Sequence, residues 1–278
     1  MPSIFPLEIE ETILDFLASE DDRRYSALKM CSLVCQAFLH ICRKHIFANI
    51  VLEAPLYNGG SSPRPTTHEF ERLLRETPEI VDYIRTLDFK IWDEDLTNPS
   101  IQSLKRISKV EFLIVRSHCR NFEWSNNPIR PALLHLLHLP TLTHFTLLGI
   151  DNFVVSDLIP CVNLKFLEVD AITAVADETF FPAVFPELSI QLNAFVVGIG
   201  NAPFIMKLCT AQRPDGQPII NFGSLSNITM GFMDRNESNE KNALLELFRH
   251  CPSLRNVDIS CKWYLHCDHQ DFLLLFPI

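Results

Sequence analysis

The chain has 278 residues, 47% of them apolar and 21% charged, with a formal net charge of −10. That length buries a core easily and suits one large domain, or a small one beside a larger one. The composition is too apolar for disorder, no apolar run approaches the roughly 18 residues of a membrane span, and the acidic balance argues against a general nucleic-acid binder, which needs Lys and Arg against phosphate.

Met1 to Glu11 has neither a basic segment followed by an apolar run nor an Arg-rich, acid-poor character. It reads as neither a secretory signal nor a mitochondrial presequence. The nine cysteines, at 31, 35, 42, 119, 161, 209, 251, 261 and 267, are odd in number and mostly set in apolar stretches. They read as reduced core thiols, which points to the cytoplasm or nucleus.

Residues 1–50 carry a helical pattern. Pro6 suits a first helical turn, and Glu8, Glu10 and Glu11 suit the positive end of a helix dipole. Ile9, Ile13, Phe16 and Leu17 fall on one apolar face. Ser19 to Asp22 interrupts this pattern. It resumes with Leu28, Cys31, Val34, Cys35 and Phe38. So small a helical unit buries little area and should lean on a partner or on the rest of the chain. Residues 51–67 read as a strand end and a Pro-, Gly- and Ser-rich loop.

From there to residue 278 a hexad recurs with the form apolar-x-x-apolar-x-apolar. It begins at Ile84, Val110, Leu142, Leu164, Leu192, Leu225 and Leu254, at steps of 26, 32, 22, 28, 33 and 29 residues. Each hexad reads as a short strand with alternate residues inward. Helix candidates fall between them: Thr66 to Glu69 has capping-box spacing, Pro131 opens PALLHLLHL, and Ala243 to Phe248 forms a stripe stopped at Cys251-Pro252. This is the rhythm of a leucine-rich-repeat solenoid. A doubly wound α/β sheet is the competing arrangement. The L-x-x-L-x-L form and the absence of a Gly-rich turn after the first strand favour the solenoid. Ile150 and Ile172 occupy places where such repeats carry Asn or Cys, so no asparagine ladder is expected. The apolar end, Asp271 to Ile278, raises the question of whether it folds back as a cap.

Phe5-Pro6-Leu7-Glu8-Ile9, Ile13-Leu14, Leu17, Leu28 and Val34-Cys35-Gln36-Ala37-Phe38 resemble an F-box. The family pattern opens L-P-x-E-[IL] and closes V-C-[RK]-x-[WF]. Phe5, Gln36 and Phe38 depart from it. The wording is most similar to F-box-like proteins of mushroom-forming fungi. The fold expected is therefore α/β: an F-box-like helical module at 1–50, then an irregular leucine-rich-repeat-like solenoid at 68–278. The resemblance implies a non-catalytic substrate receptor of an SCF-type ubiquitin ligase. It would bind a Skp-type adaptor, and through it a cullin, and would hold an unknown protein substrate close to the ubiquitin carrier. Neither a nucleic acid nor a membrane is expected as a partner. Carried over by position, the adaptor-facing candidates are Pro6, Leu7, Ile9, Ile13, Leu14, Leu17, Leu28, Val34, Cys35 and Phe38. About half of these, Leu17, Leu28 and Cys35 among them, should form the module's own core.

Charge is uneven along the chain. Residues 51–100 carry a net −5, residues 101–150 a net +4 and residues 151–200 a net −6. The basic island includes Lys105, Arg106, Lys109, Arg116, Arg120 and Arg130, with Phe122 and Trp124 in the same stretch. Lys105, Arg106, Arg116 and Arg120 could recognise an acidic or phosphorylated segment. The plainer reading is a solvated face with cross-repeat ion pairs. Neither a P-loop, a nucleophile elbow nor a zincin motif occurs, and Gly198-Ile199-Gly200 reads as a turn. Cys261, His266, Cys267 and His269 are the best metal candidate, yet they are cramped into nine residues, and a polar loop is the favoured reading. His135, His138 and His144 read as hydrogen-bonded boundary residues. No cofactor, metal or catalytic residue is expected. An F-box-like scaffold outside any cullin complex, and an α/β enzyme of unrecognised class, stay open as alternatives.

Overall fold

A computed structural model of the chain describes residues 6–19, 24–53, 65–119, 122–172, 186–198, 200–232 and 237–261. The Gly- and Ser-rich stretch within 54–64, the segment 262–278 with its apolar end, and His266, Cys267 and His269 lie outside the described residues. The fold is mixed α/β with parallel strands. The chain divides into two compact units, one of residues 1–120 and 127–143, the other of residues 121–126 and 144–278.

The first unit opens with three helices, α1 (Leu7–Ser19), α2 (Arg24–Ser32) and α3 (Gln36–Ile46). The Pro6 carbonyl accepts from the amides of Ile9 at 3.0 Å and Glu10 at 3.3 Å, which starts α1 at the expected place. Leu14, Leu28, Ile41 and Cys42 form the helices' own core, with Leu17, Ala18, Cys31, Phe38 and Ile46 packed on it. The chain then runs through Phe47 and Ala48 into β1 (Asn49–Leu52). Helix α4 (Thr67–Glu76) follows, then the parallel strands β2 (Thr86–Ile91) and β3 (Phe112–Ser117), and α5 (Arg130–Leu137). Two 3-10 segments, Asp93–Thr97 and Pro99–Arg106, connect β2 to β3. The α4 capping box is present: Thr66 Oγ1 accepts from the Glu69 amide at 3.2 Å, and the Glu69 carboxylate accepts from the Thr66 amide at 2.9 Å.

A domain boundary at residue 50 does not match this division. Helices and first strands share one unit, because α3 leads into β1 without a linker. Arg43 pairs with Glu79 at 2.9 Å, and Tyr83 and His40 share a hydrogen bond of 3.1 Å.

In the second unit, strands β4 (His144–Leu148), β5 (Phe166–Asp170), β7 (Ala194–Val197), β9 (Asn227–Phe232) and β10 (Asn256–Cys261) lie parallel in that order. Two short strands, β6 (Ile190–Gln191) and β8 (Ile220–Asn221), pair separately. Helix α6 (Ala202–Thr210) links β7 towards β9, and α7 (Glu237–Arg249) links β9 to β10. Helix α6 has no counterpart among the sequence expectations. Its apolar run APFIMKLCT shows no clean stripe, and its one start signal is Pro203 in the first turn.

All seven hexads become strands, and each strand begins at the third hexad position. A repeated backbone device sets this start. The carbonyl at the second position accepts the two amides that open the next strand. Arg85 takes Glu111 and Phe112, Lys165 takes Asn193 and Ala194, Asn193 takes Ser226 and Asn227, and Ser226 takes Arg255 and Asn256. Ala48 takes Arg85 and Thr86 in the same way. Phe47 to Leu52 is therefore a further hexad. It escapes the sequence pattern because its step to Ile84 runs across the long loop. Positions one, four and six are buried in the six hexads from Ile84 to Met230; Phe47 is half-buried, and in the last hexad Leu254 and Ile259 are half-buried and Val257 is 36% exposed.

Within each unit the strand order follows the chain. Among the described strands there is no reversal of the kind a doubly wound sheet requires. Asn201, buried, accepts the Ile172 amide on its Oδ1 at 2.9 Å; it sits one residue later than the spacing at which leucine-rich repeats carry Asn or Cys, and it is a single bond rather than a ladder.

Candidate partner-binding surfaces

Helix α1 has two apolar stripes, and the helical core uses only one of them. Leu14 is fully buried, while Ile9 and Ile13 are each 47% exposed and Phe16 is 66% exposed. Of the stripe read from the sequence as the apolar face, Ile9, Ile13 and Phe16 therefore face outward and Leu17 packs on the core. Met30, on α2, and Leu33 and Val34, in the turn before α3, are exposed by 67%, 80% and 69%. Single exposed apolar residues are ordinary; six large ones within about thirty residues are more than a helical unit of this size usually leaves in water.

The adaptor candidates sort accordingly. Pro6, Ile9, Ile13, Val34 and Cys35 are exposed. Leu14 and Leu28 are buried in the three-helix core and cannot face a partner. Leu17 and Phe38 are half-buried against that core. Cys35, placed by expectation in the core, is instead the exposed N-cap residue of α3, in extended conformation. Leu7 opens α1; its side chain lies outside the described residues.

The basic island does not form one free surface. Lys109 pairs with Asp82 at 2.8 Å, and Arg116, on β3, pairs with Asp88 on the neighbouring strand β2 at 3.2 Å. Lys90 pairs with Glu53 at 2.7 Å, with both side chains largely shielded from solvent. Lys105 and Arg106 are exposed at the end of a 3-10 segment, and Arg120 lies outside the described residues. Phe122 and Trp124, candidates for the edge of such a patch, are buried. Charge on the first unit's strands is thus mostly spent on neighbouring strands. Exposed pairs of this kind contribute about 0–1 kcal/mol each.

His135 bonds to the Ile107 carbonyl at 3.0 Å, and His144 stacks on Phe166 with centroids 5.4 Å apart. Gly200 turns the chain after β7 with φ +79°. No three His, Cys, Asp or Glu side chains among the described residues converge as a metal site requires. A cavity of about 630 Å³ is lined by Gly200, Ala202, Pro203, Met206, Asn239, Glu240 and Asn242. Glu240 is its one titratable lining group, and one Glu240 oxygen accepts the Gly200 amide at 3.2 Å. The buried thiols are pushed up: Cys42 to about 11 and Cys251 to about 12, in each case chiefly by burial. That is the opposite of an activated nucleophile. No described helix is long and apolar enough to cross a membrane.

No family model matches the chain, and neither does any curated protein.

Proposed function

We propose that this chain is the non-catalytic substrate receptor of an SCF-type ubiquitin ligase, working in the cytoplasm or nucleus. In this reading the amino-terminal helices are an F-box that docks on a Skp-type adaptor, and through it on a cullin. The strands and helices that follow are an irregular leucine-rich-repeat solenoid that holds a protein target. The observation that carries the reading is the second apolar stripe of α1. Ile9, Ile13 and Phe16 are left outside a helical core that is already complete without them, and Val34 lies exposed in the V-C-x-x-F segment. Strand order that follows the chain, with one strand start per hexad, supports the solenoid. Activity would come from proximity alone, with transfer made effectively intramolecular by holding the target near the ubiquitin carrier.

The test is co-expression with a Skp-type adaptor, followed by co-purification. The wild-type chain brings the adaptor down. Ile13→Asp and Val34→Asp each remove it while changing the melting profile little, since neither side chain belongs to the helical core. Leu28→Ala, in contrast, lowers stability by about 2–5 kcal/mol through the helical core. Adaptor retained at wild-type level by an Ile13→Asp/Val34→Asp double variant sinks the F-box assignment.

A further inference from the structure

In the first unit the strands carry Asp88, Lys90 and Arg116, and all three are engaged in cross-strand or adjoining ion pairs. The second unit differs. Its five parallel strands carry Glu168, Asp170 and Asp258, with no lysine or arginine. All three acids fall on the face opposite the core, where alternate residues remain accessible. Lys165 and Arg255 stand just ahead of β5 and β10, at the amino-terminal edge of the sheet.

The rest of that face is low and partly apolar. His144 and Phe166 stack side by side at one end. Half-exposed Ala194, Val196 and Thr229 follow on the next strands. Past the end of β7, a Cβ at Gly198 would lie 2.6 Å from the Asp170 Cβ, so the Asp170 side chain lies across this glycine. Asn256 bonds to Asn227 at 2.7 Å across β10 and β9, and Thr146 donates to Glu168 at 3.0 Å across β4 and β5. The floor is thus tied by polar cross-strand bonds and is ready-formed.

We propose that this face of the second unit binds a basic, extended protein segment in which Arg or Lys side chains alternate with apolar ones. The inference rests on the receptor reading and names the chemistry of its target. Charge decides the partner. A sheet face with three carboxylates and no strand-borne lysine or arginine repels an acidic or phosphorylated segment and attracts a cationic one. The half-exposed aromatic pair adds a second preference for Arg or Lys, through the ring quadrupole of Phe166. Five strands at about 4.8 Å span roughly 20 Å, which an extended peptide of about six to eight residues crosses. The acidic degron for which the basic island suggested a receptor is replaced by its opposite.

The test uses the full chain and three fluorescent peptides of about eight residues: alternating Arg–Leu, alternating Glu–Leu, and Arg–Leu with its arginines replaced by Gln. Anisotropy should rise only with the Arg–Leu peptide. Affinity should fall by roughly two- to thirtyfold in Glu168→Gln/Asp258→Asn, taking each exposed contact at its usual size. Phe166→Ala should weaken binding as well, and Asp258→Asn alone covers any loss of fold caused by the Glu168 change. Equal binding of the Glu–Leu peptide, or wild-type affinity in the double variant, overturns the proposal. The two readings fail separately. Loss of peptide binding with the adaptor still co-purifying removes the acidic face alone; peptide binding without any adaptor removes the receptor assignment and keeps the face.

Discussion

Trp124→Phe should cost about 2.5–4 kcal/mol. Trp124 belongs to a short segment that joins the second unit: its amide donates to the Asp151 carbonyl at 2.8 Å, and the Asp151 amide donates to the Phe122 carbonyl at 3.0 Å. Its indole is 1% exposed and packs on Phe153, with centroids 4.9 Å apart. Its Nε1–H donates to an Asp157 carboxylate oxygen at 2.7 Å, and Asp157 is itself buried. Phenylalanine keeps most of the ring contact and deletes the donor. A hydrogen bond to a charged group is worth about 1.5–3 kcal/mol. The smaller ring adds a void on the order of 40 Å³, about 1 kcal/mol at 24 cal/mol per Å³. For a chain of this size the sum lowers the melting temperature by roughly 5–15 °C. Circular dichroism melts of Trp124→Phe, Asp157→Leu and the double variant close a cycle whose coupling should be about 1.5–3 kcal/mol. A loss below about 1 kcal/mol in Trp124→Phe, or a coupling near zero, refutes the view that this bond anchors the segment.

Two further outcomes follow from local chemistry. In the folded chain at pH 8, Cys42 and Cys119, both pushed up to about 11, alkylate about a hundredfold more slowly than a thiol at the ordinary 9.0, from the thiolate fraction alone. Mass spectrometry after brief iodoacetamide treatment should find exposed Cys35 modified ahead of them. Burial also pushes Cys209 and Cys251 to about 12 and raises Cys161. These thiols ionise first in the unfolded chain, so the stability tied to them is intact below pH 9 and falls as pH rises towards 11–12; a denaturant midpoint unchanged from pH 8 to 11 contradicts this. Thr66→Ala should cost about 1 kcal/mol by removing the α4 cap. The Thr66 amide and hydroxyl hold the Glu69 carboxyl below its usual range. The cap's charged contribution is therefore present at neutral pH and lost as pH falls through the folded value, and Thr66→Ala should be less acid-sensitive than wild type in the same titration.

The sequence carries the repeats well because hexad positions one, four and six must all find the core, and no other spacing buries Leu164, Leu167 and Val169 together. The strands themselves were legible for the same reason, though each starts two residues after its hexad does. Helix α6 and the Phe47 hexad were not. The first has apolar residues on most of its surface, with Phe204, Ile205 and Leu208 buried and Met206 exposed, so no stripe stands out. The second is separated from its neighbour by the long loop. Charge placement was the hardest part to read. Arg116 and Asp88 are 28 positions apart in the chain, and only the β2–β3 register, which sets Arg116 opposite Lys90, brings it diagonally within reach of Asp88.

The amino-terminal helices make the sharpest case for what periodicity can and cannot fix. In α1, Ile9, Ile13 and Phe16 keep helical spacing, and so do Leu14, Leu17 and Ala18 one residue on. Each set satisfies the pattern of a buried face. Which set turns inward depends on the phase at which α2 and α3 meet the helix, and that phase is set by Leu28, Ile41 and Cys42. Three helices this short have room for one internal stripe. Once Leu14 is taken into the core, the other stripe must stay in water or be covered by something else. An apolar arc wider than its own core can use is the physical content of the family resemblance, and it makes substitution at Ile13 and at Leu28 separable: one should change what the chain binds, the other whether it folds.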